Sequence, residues 1–119
     1  MKSDNDKHKV RNSYSCDLVI NNYELTSLEI SQYYKTRLGR EMINDELIIK
    51  IVVEKLNGRE LIPDDKKRLD NWDYFTLKNI CYEDKNYRLV CCHENNSQIW
   101  GVLNIYPIKI KSYDKTKSN

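Results

Sequence analysis

The stretch from Asn86 to Ile110, NYRLVCCHENNSQIWGVLNIYPIKI, constrains the fold more than any other part of the chain. Two apolar runs of strand length flank the polar turn ENNS, which is the pattern of a β-hairpin. A third such run precedes them, separated by the turn EDKN. We therefore predict an antiparallel meander with strands at about Tyr74 to Cys81, Tyr87 to His93 and Gln98 to Tyr106. Pro107 has no backbone N–H, so pairing should stop there or lie at an edge.

In the half of the chain before this meander, the sequence predicts one strand and then a first helix. SCDLVI, from Ser15 to Ile20, has the composition of a short strand, and NNY follows it as a turn. Thr26 and Glu29 then match the capping box that opens a helix. Apolar residues recur at helical spacing up to Leu38, and Gly39 after them suits a helix C-terminus.

A second helix is predicted from a wide apolar stripe that ends at Asn57 and Gly58. The stripe contains Ile43, Leu47, Ile48, Ile51, Val52 and Leu56. The run LIIKIVV would also suit a strand, but the polar sequences on either side favour a helix. Two helices joined by a short link around Gly39 make a helical hairpin. The predicted fold class is therefore α+β: an N-terminal strand, a helical hairpin and an antiparallel β-meander, with the helices packed on one sheet face.

A chain of 119 residues is long enough for one domain with a modest core. We predict a flexible N-terminus at residues 1–14, a single domain at 15–111 and a basic C-terminal tail at 112–119. The net charge is only +2, so any cationic surface must come from local clustering.

The expected environment is a reducing cytoplasm without a membrane partner. No apolar run approaches the roughly 20 residues that a spanning helix needs, and the first residues lack the apolar centre of a secretory signal. Cys91 and Cys92 are adjacent, and neighbouring side chains on a strand point to opposite faces, which argues against a disulfide framework.

Strand alternation makes Arg88 the first candidate for a functional residue. One face of its strand carries Tyr87, Leu89 and Cys91, and the other carries Arg88, Val90 and Cys92. If the first set faces the helices, Arg88 projects from the open face, where its planar guanidinium suits two phosphate oxygens at once. The alternative is a surface arginine paired with Glu83 or Asp84.

The other candidates are cations, tyrosines and one histidine in or near the meander. They are Lys78, Lys85, Lys109, Lys111, Tyr87, Tyr106, Tyr113 and His93. The lysines either bind phosphate or protect strand edges from pairing. The tyrosines either stack on bases or pack in the core and at its rim. His93 is either a proton carrier near neutral pH or a polar residue flanking the turn.

Metal and cofactor motifs are weak in this sequence. Potential ligands occur at Cys81, Cys91, Cys92 and His93, but the spacing is not a paired C-x-x-C and the contiguous CCH alternates between faces. The chain contains no Walker loop, dinucleotide fingerprint or G-x-S-x-G elbow. We therefore predict neither a metal nor a cofactor.

Three segments carry a resemblance to a known family: KLNGREL, YFTLKN and NYRLVCCHENNSQIWGVLNIYPIK. Over about Asp17 to Lys111, the chain resembles the RelE/ParE superfamily of small toxins. The resemblance implies a RelE-like fold and, in the RelE branch, metal-independent cleavage of messenger RNA. It implies that Arg88 holds the scissile phosphate and that Lys78 and Lys109 supply further positive charge. It also implies that Tyr113 assists proton transfer.

The resemblance further implies a role and partners. Related nuclease toxins with this fold, including tRNA-cleaving domains of contact-dependent inhibition proteins, would give His93 an acid or base role. We expect a toxin that cleaves messenger or transfer RNA and so inhibits translation. It would act in the cytoplasm, either of the cell that makes it or of a target cell into which it is delivered. A cognate antitoxin or immunity protein would neutralise it. The alternatives are a ParE-like toxin that targets gyrase without nuclease activity and an α+β binding or immunity protein.

Overall fold

The computed structural model describes residues 10–64 and 71–109 of the chain. The predicted site residues Lys111 and Tyr113, and the predicted tail, lie outside this range. The elements in chain order are β1 (Arg11–Ile20), β2 (Tyr23–Ser31), a 3-10 helix (Gln32–Thr36), α1 (Asp45–Ile51) with a π-helical turn after it (Val52–Leu56), β3 (Trp72–Tyr82), β4 (Lys85–Glu94) and β5 (Ile99–Ile108).

The five strands form one mixed sheet in the order β1-β2-β5-β4-β3. All neighbouring strands are antiparallel except β2 and β5, which are parallel. The β1–β2 hairpin and the β3–β4–β5 meander are thus joined edge to edge by the parallel pair. The α+β class and the three-stranded meander are confirmed, with strand bounds within a few residues of those predicted. β1 begins at Arg11, earlier than the predicted domain start at Ser15.

Residues 23–31 form strand β2, so the helix predicted from Thr26 to Leu38, and the helical hairpin with it, are wrong over this range. Asn21 and Asn22 both have positive φ, 54° and 66°, which makes a two-residue turn whose twist matches two antiparallel strands. The chain therefore returns directly as a strand. Leu28 and Ile30 are both buried, and a spacing of two residues places side chains on one face of a strand, not of a helix.

The helix predicted after Ile43 is confirmed as α1 and its π-helical turn. The Asn44 side chain caps it by accepting from the backbone N–H of Leu47 at 2.8 Å. The predicted stripe is buried at its centre, and the helix ends just before Gly58, whose φ of 83° is the left-handed conformation that suits glycine.

The core lies between α1 and one face of the sheet, here named the core face. Side chains from the helix and from all five strands share a single cluster, which includes Leu18, Leu28, Ile30, Ile48, Ile51, Leu56, Phe75, Leu89, Trp100 and Ile105. The opposite face, here named the open face, carries Arg88 and Val90, which do not belong to that cluster. In the described ranges α1 is the one α-helix, so no α-helix remains to cover the open face.

Asp45, the first residue of α1, fixes the helix to the sheet. Its carboxylate accepts hydrogen bonds from Asn12 Nδ2 at 2.8 Å, Tyr14 OH at 2.6 Å, Gln32 Nε2 at 3.1 Å and Tyr34 OH at 2.6 Å. Burial alone would raise the pKa of Asp45, but the donors outweigh it and lower that pKa. The charged carboxylate therefore ties β1 and the 3-10 helix to the start of α1.

Substitution Asp45→Asn should lower the free energy of unfolding by about 2 kcal/mol, because donors that served a charged acceptor lose it. Urea denaturation measures this. Because the folded pKa of Asp45 is lowered, its contribution is present above the unfolded value near 3.8 and is lost as the pH falls through the folded value. The difference between wild type and variant should therefore shrink in acid.

The neighbouring substitution Glu46→Gln is the matched control, because Glu46 is exposed and makes one 3.6 Å pair with Lys50. It should cost less than about 0.5 kcal/mol. Equal losses in the two variants would contradict the role assigned to Asp45.

Candidate nucleic-acid interface

Arg88 projects from the open face, as strand alternation predicts. Its neighbours Tyr87 and Leu89 are buried in the core, at 5% and 0% exposure, while Arg88 is partly exposed. Arg88 lies opposite Tyr106 in the β4–β5 register. Its Nη1 donates a long hydrogen bond of 3.4 Å to the Tyr106 hydroxyl, and its guanidinium carbon lies 5.6 Å from the centre of that ring. A tyrosine ring, and not a turn carboxylate, is therefore its partner.

Arg40, which the sequence did not single out, reaches the same tyrosine from the loop before α1. Its guanidinium carbon lies 5.0 Å from the Tyr106 ring centre. Its Nε donates to the Ile105 carbonyl and its Nη1 to the Leu38 carbonyl, each at 2.9 Å. Two backbone acceptors therefore hold Arg40 in place. We name Arg40, Arg88 and Tyr106 the Tyr106 cluster.

The Tyr106 cluster has two positive charges, and no described carboxylate pairs with either of them. Within residues 10–64 and 71–109, neither Arg40 nor Arg88 forms an ion pair. The Nε of Arg88 is buried and has no hydrogen-bond partner. An unpaired buried donor costs free energy, and two guanidiniums beside one ring repel each other. The buried Nε is closed to solvent, but an anion at the outer guanidinium nitrogens would offset the two positive charges, so the arrangement is suited to phosphate.

Three of the predicted lysines are exposed around this region. Lys78 lies in a β3 bulge between Leu77 and Ile80, which faces Arg88 in the β3–β4 register. Lys85 is the first residue of β4, and Lys109 follows the end of β5. Of these, Lys78 is the one that the register brings beside Arg88.

His93 and Tyr87 do not join the Tyr106 cluster. The His93 ring is only 2% exposed, its Nε2 donates to the Ser97 carbonyl at 2.9 Å, and it packs against Trp100 in the core. It lies five positions from Arg88 along β4, about 16 Å at roughly 3.3 Å per residue. Tyr87 lies on the core face, where burial raises its pKa. Neither side chain reaches a ligand bound at Arg88.

A small groove lies on the open face at the other end of β4 and β5. Gly101 forms part of it, and a Cβ there would lie 2.7 Å from Cys92 Sγ, so a larger residue would have to displace the Cys92 side chain. The ion pair between Arg11 and Glu29 stands at the rim. The cavity volume of about 60 Å³ holds a few water molecules and is too small for a nucleotide. The Tyr106 cluster is therefore the better candidate site.

Metal-binding groups are sparse in the part of the chain that the structure describes. No set of three His, Cys, Asp or Glu side chains there is placed to hold a metal ion. The four cysteines are free thiols, with Cys91 in the core and Cys92 below the groove. Burial raises the pKa of both, that of Cys92 to about 11.

Comparison with known proteins gives no match: no family model matches the chain, and neither does any curated protein or solved structure. The resemblance to RelE/ParE toxins therefore rests on the sequence motifs, and it stays a prediction. No helix in the described ranges is both long enough and apolar enough to pass through a bilayer.

Thiol labelling tests which side chains of β3 and β4 face outward. In the native protein near pH 8, Cys81 should react first with a thiol reagent because it is exposed. Cys91 and Cys92 should stay unreacted, because both are buried and their raised pKa values keep them protonated. Mass spectrometry of the labelled peptides gives the order, and denatured protein should label at all four cysteines. Fast native labelling of Cys91 would show that the β4 register is wrong.

Proposed function

We propose that the protein binds the phosphate backbone of single-stranded RNA at the Tyr106 cluster and cleaves it there without a metal ion. In this proposal the protein is a toxin that inhibits translation. The observation that carries it is the pair of guanidiniums, Arg40 and Arg88, held within 6 Å of the Tyr106 ring centre and without a carboxylate partner in the described residues.

Phosphate fits this cluster better than a carboxylate side chain does. A guanidinium fork can engage two oxygens of one phosphate, and two forks around one ring match a group with several acceptors. Arg40 is already oriented by the Ile105 and Leu38 carbonyls, so binding immobilises little further. The exposed Lys78 extends the positive charge along β3 toward the next phosphate.

Cleavage at this site would follow the metal-independent route. The RNA 2′-oxygen forms a bond to the adjacent phosphorus, and the bond from phosphorus to the 5′-oxygen breaks, leaving a cyclic 2′,3′-phosphate and a 5′-hydroxyl. Arg40 and Arg88 stabilise the charge of the five-coordinate phosphorane. The Tyr106 hydroxyl accepts from Arg88, so its own proton is free to pass to the leaving 5′-oxygen. The 2′-proton passes to a water molecule, and Tyr113, which lies outside the described residues, is assigned a helping role in proton transfer.

A cognate antitoxin or immunity protein would act by covering the open face. Such a partner would bring acidic groups to the Tyr106 cluster and exclude RNA from it. Messenger RNA on the ribosome and free transfer RNA both present accessible single strands for this site.

Substitution Arg88→Ala should lower the cleavage rate of a single-stranded RNA by a factor on the order of 10²–10³. It should also reduce the dependence of log affinity on log salt concentration by about 0.7, the loss of one phosphate contact on a single strand. Expression of the wild type in bacteria should arrest growth, and the variant should relieve the arrest. Cleavage should persist in EDTA.

The matched control is Arg59→Ala, which removes the same charge from an exposed arginine whose Nη1 donates to the Lys55 carbonyl, far along the chain from the cluster. It should keep cleavage and toxicity. If Arg59→Ala and Arg88→Ala behave alike, or if well-folded wild type is harmless and leaves RNA intact, the nuclease proposal is wrong.

Binding without cleavage is the second candidate function, and the position of His93 favours it. The one histidine among the described residues is buried on the core face and takes no part in the Tyr106 cluster. A gyrase-targeting toxin or a binding or immunity protein needs no proton carrier. Purified protein with ribosomes and messenger RNA separates the two functions, because only a nuclease gives discrete fragments.

A further inference from the structure

The sheet has two edge strands, β1 and β3, and the chain covers part of each edge with its own groups. At the β3 edge, the Asp64 N–H donates to the Tyr74 carbonyl at 2.7 Å, and Asp64 Oδ1 accepts from the Thr76 N–H at 3.1 Å. Along β5, pairing with β2 extends to Val102, and beyond it the Ile105 carbonyl accepts from Arg40. Covered edges cannot pair with another chain.

The C-terminal half of β1 is covered in the same way. The Val19 N–H donates to Asn57 Oδ1 at 2.8 Å, and the Val19 carbonyl accepts from the Gly58 N–H at 2.6 Å. The turn after β1 continues this contact, because the Asn21 N–H donates to the Arg59 carbonyl at 3.0 Å. The segment after α1 thus closes this end of the β1 edge.

The N-terminal half of β1 is left open. The Gln32 N–H donates to the Val10 carbonyl, so residue 10 and every second residue after it bond to β2. Arg11, Ser13 and Ser15 therefore point their N–H and C=O groups away from the sheet, and no partner for these groups occurs within the described ranges. All three residues are exposed. The stretch contains no proline, and Arg11 is its one charged residue.

We propose that this open stretch, Arg11 to Ser15, pairs with the same stretch of a second copy of the chain, antiparallel about Ser13. In this register Arg11 of one copy lies opposite Ser15 of the other, and Ser13 lies opposite Ser13. Every outward N–H then meets an outward C=O, which is the condition for an antiparallel ladder.

Charge and geometry are compatible with this pairing. Arg11 is the one charged residue in the stretch, it faces a serine in the proposed register, and it already pairs with Glu29 at 3.2 Å. No like charges therefore meet. The bulge between Ser15 and Leu18 ends the regular strand edge, so the interface is short. A short interface of this kind gives a weak dimer that forms at high concentration.

Sedimentation equilibrium from low micromolar to near-millimolar concentration tests the proposal. The wild type should shift from monomer to dimer as its concentration rises, and Ser13→Pro should stay a monomer because it removes an outward N–H. The Ser13 N–H does not bond to β2, so proline there leaves the β1–β2 ladder intact. Ser13→Ala keeps the N–H and is the matched control, which should still form dimers.

Amide hydrogen exchange of the wild type gives a readout that does not depend on any variant. The Ser13 amide should exchange more slowly as the protein concentration rises, while the Tyr14 amide, already bonded to β2, should not change. A wild type that stays monomeric throughout, concentration-independent exchange at Ser13, or dimerisation of Ser13→Pro at wild-type strength would each overturn the proposal.

Discussion

Burial of one sheet face against α1 is the constraint on which the rest of the structure depends. Side chains of a strand alternate between faces, so burying Tyr87 and Leu89 forces Arg88 to the other side. A slip of one residue would place the guanidinium in the core without a counter-charge, which costs far more than any contact it would gain. The strand register and the position of the proposed phosphate site are therefore set by the same hydrophobic contacts. Asp45 supports this arrangement by holding the start of the helix against β1.

The meander and α1 were predictable because their signals are local. Alternation, polar turns and a capped apolar stripe lie within a few residues of each other in the sequence. β2 was missed because its capping-box pattern and apolar spacing also fit a helix. The signal that distinguishes the two structures is the pair Asn21 and Asn22, which forms a two-residue turn between strands. The parallel pairing of β2 with β5 depends on contacts between distant segments, and no local pattern encodes it.

The candidate site shows the same division between local and distant information. Arg88 and Tyr106 lie on strands whose alternation and pairing could be read from the sequence. Arg40 lies in an irregular loop, and it reaches Tyr106 because β2 stops pairing with β5 and leaves the Ile105 carbonyl for it to bind. One side chain thus closes a strand edge and supplies a cation to the open face. His93 shows the converse, since a residue type suited to catalysis is used here for core packing.

The proposed site requires the Arg88 guanidinium, on the open face, to bind an RNA phosphate. The most direct measurement is an NMR titration of protein with ¹⁵N-labelled arginine side chains against a short single-stranded RNA that carries a 2′-deoxy block at the scissile position. The Nε–H signals of Arg88 and Arg40 should shift together as a phosphate binds beside the two guanidiniums, while the Arg59 signal should not change. Unchanged Arg88 and Arg40 signals at saturating RNA would contradict the proposal.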